Sequence, residues 1–147
     1  MLDNKIEAKE IFVKDLFDSK FLFKVPEYQR QFSWGKDNFD QLFEDIRQAF
    51  ELGEENYFLG SVILQAKETN PDGSGLYDIV DGQQRLTTLT ILMAVMRDLS
   101  NNSKAKATLQ EKIYQEENEF EGTKEEVRLE VRDRDKTFFR TVVEQFL

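Results

Sequence analysis

Five consecutive residues, Asp81-Gly82-Gln83-Gln84-Arg85, combine a carboxylate, a glycine, two amides and a guanidinium ahead of the threonines Thr87 and Thr88. A β-prone run, Leu76 to Val80, leads into them, and an apolar helical run follows from Leu86. The first turn of a helix carries unpaired N–H groups and the positive end of the helix dipole, both suited to phosphate. Gly82 would let an anion approach the backbone, and Arg85 would add a bidentate cation one turn in. Thr87 and Thr88 would add hydroxyls, and Asp81 could hold a divalent metal or position a water. A plainer reading stands beside this one. Asp-x-x-Gln is a capping-box pattern, with Asp81 accepting from the helix start and Gln84 reaching back. Such a cap contributes ~1 kcal/mol with no ligand at all, but it leaves Gln83 and Arg85 unexplained.

A second cluster, Val25-Pro26-Glu27-Tyr28-Gln29-Arg30-Gln31-Phe32-Ser33-Trp34, interleaves aromatics with amides and arginine. Aromatic faces and amides are the usual means of holding a base. Phe32 and Trp34 read as plugs of the core beneath a loop. Gln29 and Arg30 read as ligand-facing, because long polar groups rarely fill cores. In Tyr57-Phe58-Leu59-Gly60-Ser61, Gly60 marks a bulge or a close backbone approach, and with Ser61 it could line the same cleft.

The elements that must position these residues follow from periodicity. Val13–Phe17 suggests one helical turn, and Phe21–Val25 a strand ended by Pro26. Phe39, Leu42, Phe43, Ile46, Ala49 and Phe50 fall on one stripe of a helix that Asp37 would cap and Gly53 would stop. Tyr57–Ala66 and Leu76–Val80 read as a hairpin across the turn cluster Asn70–Gly75. The helix over Leu86–Leu99 is apolar nearly all round, which places it centrally. A polar helix over 104–117, a charged loop over 116–126, a strand at Val127–Val131 and an amphipathic helix from Lys136 complete the pattern. That last helix carries Phe138, Phe139, Val142, Val143, Phe146 and Leu147.

Composition narrows the chemistry. The 147 residues suffice for one domain with a real core, and residues 1–147 are expected to form a single domain. An apolar helix end without a cap suggests a truncated fragment of a longer protein. The chain holds no cysteine and no histidine. Disulfides, thiolate metal sites, His-dependent triads and the ββα-metal (HNH) nuclease centre are therefore excluded within it. The net charge of −9 argues against general affinity for duplex DNA. No apolar run reaches the ~18 residues of a membrane span, and the charged N-terminus does not resemble a signal peptide. The expected location is the cytoplasm.

Taken in order, the blocks VPxYQRxFxW (from Val25), YFLGS (from Tyr57) and DGQQRLTTL (from Asp81) resemble the N-terminal domain of GmrSD-type, modification-dependent restriction endonucleases. The stretch from Val127 through Asp133 to Phe139 fits the same domain. The resemblance implies an α+β, ParB/sulfiredoxin-like fold, a mixed sheet packed against helices. It implies a nucleotide-binding, NTP-hydrolysing regulatory domain of a phage-defence protein that restricts modified foreign DNA. By it, Asp81 and Arg85 are the catalytic residues, and Gly82, Gln83, Gln84 and Thr87, with Tyr28, Gln29 and Arg30, bind an NTP with Mg²⁺ at Asp81. DNA would be cut by an HNH-type nuclease domain outside this chain, and modified DNA would be engaged through the full-length protein. The alternative is a non-catalytic module that senses modified DNA or a small ligand.

Overall fold

Hydrophobic pairing across a short central strand organises the molecule. The computed structural model describes residues 7–18, 21–30 and 33–143. The expectations for Phe32, Phe146, Leu147 and the Val142 side chain lie outside the described residues. One helical turn, α1 (Val13–Leu16), precedes β1 (Phe21–Lys24), followed by α2 (Lys36–Glu51), β2 (Ile63–Thr69) and β3 (Gly75–Asp81). Then come α3 (Gln83–Leu99), α4 (Ser103–Ile113), β4 (Tyr114–Gln115), β5 (Glu126–Val127), β6 (Leu129–Glu130) and α5 (Lys136–Val143).

The main sheet has the order β2-β3-β1-β6. β1 runs parallel to both β3 and β6, and β2 is antiparallel to β3. The fold is therefore α+β with a mixed sheet packed against helices, as expected. Phe23 faces Tyr77 on one side and Leu129 on the other. Its ring is 1% exposed and meets Phe17 edge-on at 6.3 Å and Phe21 in a stack at 6.0 Å. With Ile79, Leu86, Leu89, Ile113, Val131 and Phe139 it forms one core. Each such side chain contributes ~1.5–3 kcal/mol on burial.

α3 packs against α4, α5 and β6. Its second turn is enclosed, with Leu86, Thr87, Thr88, Leu89 and Thr90 all buried, whereas Gln83–Arg85 are partly exposed. Its end is open to solvent, with Leu99 78% exposed, so the all-round burial expected from its composition holds only for the N-terminal half. No helix of the described residues is long and apolar enough to cross a membrane.

Several local expectations are corrected. Regular pairing in the hairpin begins at Ile63↔Asp81, so Tyr57–Val62 is irregular chain rather than strand. Gly60, at φ +128°, breaks the pleat there. α2 starts at Lys36, and Asn38 Oδ1 accepts from the Gly35 N–H at 3.1 Å, so Asp37 lies inside the first turn rather than at the cap. Of its apolar stripe, Leu42 and Ala49 are buried, whereas Phe43 and Phe50 are exposed. The strand expected over Val127–Val131 divides between two sheets. Glu126–Val127 pairs with β4, and Leu129–Glu130 turns to β1.

Candidate functional site

Pairing with β2 carries β3 through Asp81 before the chain turns. Gly82 makes the turn at φ +104° and is the N-cap of α3. The capping box is thus not formed. The helix starts one residue later than that pattern required, its cap position has no side chain, and no side-chain cap bond is made. The first helical hydrogen bond is Leu86 N–H to Gly82 O, at 3.0 Å. The uncapped start follows directly on Asp81, the exposed last residue of β3.

The two glutamines reach sideways. Gln84 Oε1 accepts from the Ser33 and Trp34 N–H groups at 3.0 and 3.3 Å. The Gln83 amide donates to Arg30 O at 2.8 Å. From the other direction the Gln29 amide donates to Ile79 O and Val80 O at 3.3 and 3.0 Å, holding the end of β3. These amides tie Gln29 and Arg30 to the end of β3 and the start of α3, and Ser33 and Trp34 to α3.

The clamp has a third party that sequence patterning did not single out. Arg132, 8% exposed just beyond β6, donates through its guanidinium to Gln29 O. Glu27 Oε1 accepts from the Asp133 N–H at 3.1 Å. Alternation of charge with apolar residues along Val127–Asp133 marked a strand, but nothing in it signalled that one arginine turns inward. Asp133 also holds Lys136 at 2.8 Å, and that bond keeps its carboxyl below the usual carboxylate range.

Once these bonds are assigned, the candidate residues separate into two groups. Gln29, Gln83 and Gln84 tie the loop to the helix start, and Thr87 is 5% exposed along a narrow crevice with Gln83, Arg132 and Asp135. Tyr28, 73% exposed, and Arg30 face solvent, and Asp81 is exposed as well. Trp34 is half-buried against the core and meets Phe39 edge-on at 6.4 Å, as the plug reading required.

Arg85 stands between the groups. It is half-buried, its Nε is shut from solvent without a hydrogen-bond partner, and among the described residues no carboxylate pairs with it. A half-buried cation without a counter-ion among the described residues, in the first turn of an uncapped helix, is an arrangement that attracts an anion. No group of three or more acidic side chains that could by itself hold a metal occurs among the described residues. A cation at Asp81 would thus rely on a ligand's own oxygens.

The family model described as "GmrSD restriction endonuclease, N-terminal domain" matches residues 13–145. Among curated proteins, none matches the chain.

Proposed function

This chain belongs to the family of GmrSD restriction endonuclease N-terminal domains, parts of defence proteins that act on DNA, and on that premise we propose that its Asp81–Arg85 turn binds and hydrolyses an NTP. The observation that carries this reading is Arg85, half-buried without a carboxylate partner among the described residues beside the uncapped start of α3. The phosphates would lie against the N–H groups of Gly82–Gln84, and Arg85 would stabilise the charge that develops on the transferring group. Asp81 is exposed at the strand end, where it is suited to orient a water or to hold Mg²⁺. Mg²⁺ fits such a sparse protein donor set, because it is commonly held by one or two carboxylates together with phosphate oxygens and water. When bound it would neutralise phosphate charge. Tyr28 and Arg30 would face the base or sugar from the clamped loop, whose rigidity the glutamine bonds provide.

The role that follows is regulatory. A nucleotide cycle in this domain would license cleavage of modified foreign DNA by a histidine-containing nuclease domain outside these residues, in the cytoplasm. The acidic balance of the chain accords with DNA being gripped elsewhere. NTP turnover by the wild-type chain, lost in Asp81→Ala, tests the reading; no turnover above that variant would remove catalysis from it.

One observation favours a second reading, a non-catalytic sensor of modified DNA or a small ligand. Tyr28 leaves 73% of its surface in solvent on a loop held by three glutamines. Preference for modified over unmodified duplex, retained at rising salt and lost in Tyr28→Ala, would select this reading.

A further inference from the structure

Gly60 lies in the irregular segment before β2, at φ +128°, a conformation that L side chains rarely adopt. A Cβ built there would sit 2.5 Å from both Cζ and Nη1 of Arg85 and 3.0 Å from Nη2. The guanidinium therefore rests on the bare Cα of Gly60. The contact is reciprocated nearby. A Cβ on Gly82 would meet Val62 Cγ2 at 3.0 Å and Val62 Cα at 3.3 Å. The segment over 59–62 and the turn over 81–85 thus approach at backbone distance because each supplies a glycine at the meeting point. Leu59 and Val62 anchor the segment by packing on the core.

This geometry has a consequence for the cation. Arg85 has no ion pair among the described residues, and its Nε has no hydrogen-bond partner. Among the described residues no carboxylate holds its head, which lies against the wall at Gly60. A methyl group on Gly60 would overlap the far end of a flexible side chain, which moves away readily. The result is a displaced cation more than a lost core contact.

We propose that Gly60 is a positioning residue: its missing side chain is the seat on which the Arg85 guanidinium is aimed at phosphate. The inference rests on the nucleotide reading of the Asp81–Arg85 turn and goes beyond it by assigning the role of the Tyr57–Val62 segment. It separates two functions of one glycine. The positive φ is a backbone requirement that any substitution violates, whatever residue 85 is. The seat matters only while Arg85 is present.

A double-mutant cycle with wild type, Gly60→Ala, Arg85→Ala and the double variant distinguishes the two. The probes are Mg²⁺-ATP and Mg²⁺-GTP titrations, with thermal melting in parallel. The expected result is a loss of affinity on the order of tenfold from Gly60→Ala in the wild-type background, the size of one charge-assisted hydrogen bond, and almost none in the Arg85→Ala background. Equal losses in both backgrounds, or wild-type affinity in Gly60→Ala, would overturn the proposal. A second readout needs no nucleotide. The Arg85 Nε–H, enclosed in the wild type, should gain rapid hydrogen exchange in Gly60→Ala, while the Arg97 Nε–H bonded to Asp98 keeps its protection. If the wild type binds no nucleotide, the phosphate reading fails and this exchange measurement alone judges the seat. Unchanged Arg85 exchange would then reject it.

Discussion

Replacing Gln84 by alanine separates a structural glutamine from a ligand-binding one. Its Oε1 is the acceptor for two backbone N–H groups, Ser33 at 3.0 Å in an exposed position and Trp34 at 3.3 Å in a partly buried one. A net hydrogen bond is worth ~0.5–1.5 kcal/mol, with the lower end applying where water can replace the lost partner. Ser33 belongs at the lower end and Trp34 nearer the upper, so Gln84→Ala should cost about 1.5–2 kcal/mol. For a chain of this size that corresponds to a fall in Tm of about 5 °C. Urea denaturation should show a lower midpoint at an unchanged m-value. Trp34 is the single tryptophan, so its fluorescence reports the released loop directly. Gln84→Glu keeps an oxygen aimed at both donors and should recover most of the loss. A Gln84→Ala protein that melts within about 0.5 kcal/mol of wild type, with unchanged Trp34 emission, would refute the clamp.

Three further outcomes are expected. Ile79→Ala, at a fully enclosed position, should cost about 2–5 kcal/mol, read from the same denaturation curves. Arg132→Met removes the guanidinium that donates to Gln29 O, and should speed amide exchange over 26–30 while leaving the Phe23 amide protected by its bond to Arg128 O. Asp133 ionises more readily when folded because Lys136 holds its carboxylate. The folded group therefore binds fewer protons than the unfolded one as pH falls towards the ordinary Asp value near ~4. Its contribution is present above that value and disappears as pH drops through the folded pKa. Asp133→Asn should flatten that acid-side slope slightly, the pair being exposed.

Much of this architecture was legible because periodicity survives folding. The spacing in α3, the β-rich run ended by Pro26 and the turn cluster before β3 each placed an element within a few residues. What failed did so where tertiary contacts overrode a local pattern. Asp81 and Gln84 stand at capping-box spacing, yet the sheet ladder claims Asp81 and the Ser33 and Trp34 N–H groups claim Gln84. Tyr57–Val62 has strand composition, but Gly60 adopts φ +128°, outside the strand region, and lies against Arg85. Val127–Val131 alternates like one strand and serves two sheets. Residue type and spacing singled out Gln29, Gln83 and Gln84. They could not show that three of the glutamines bond to backbone, since partners some fifty residues away are set by topology.

The most direct test is a titration of Mg²⁺-NTP into the wild-type chain and the Arg85→Ala variant, followed by Trp34 fluorescence. Because Gln84 links Trp34 to the start of α3, phosphate bound there should change the emission saturably. The predicted result is saturable binding by wild type, weakened by about tenfold or more in Arg85→Ala, as for loss of a charge-assisted contact. Equal affinity of the two proteins, or no saturable change with either nucleotide, would contradict a phosphate site at Asp81–Arg85.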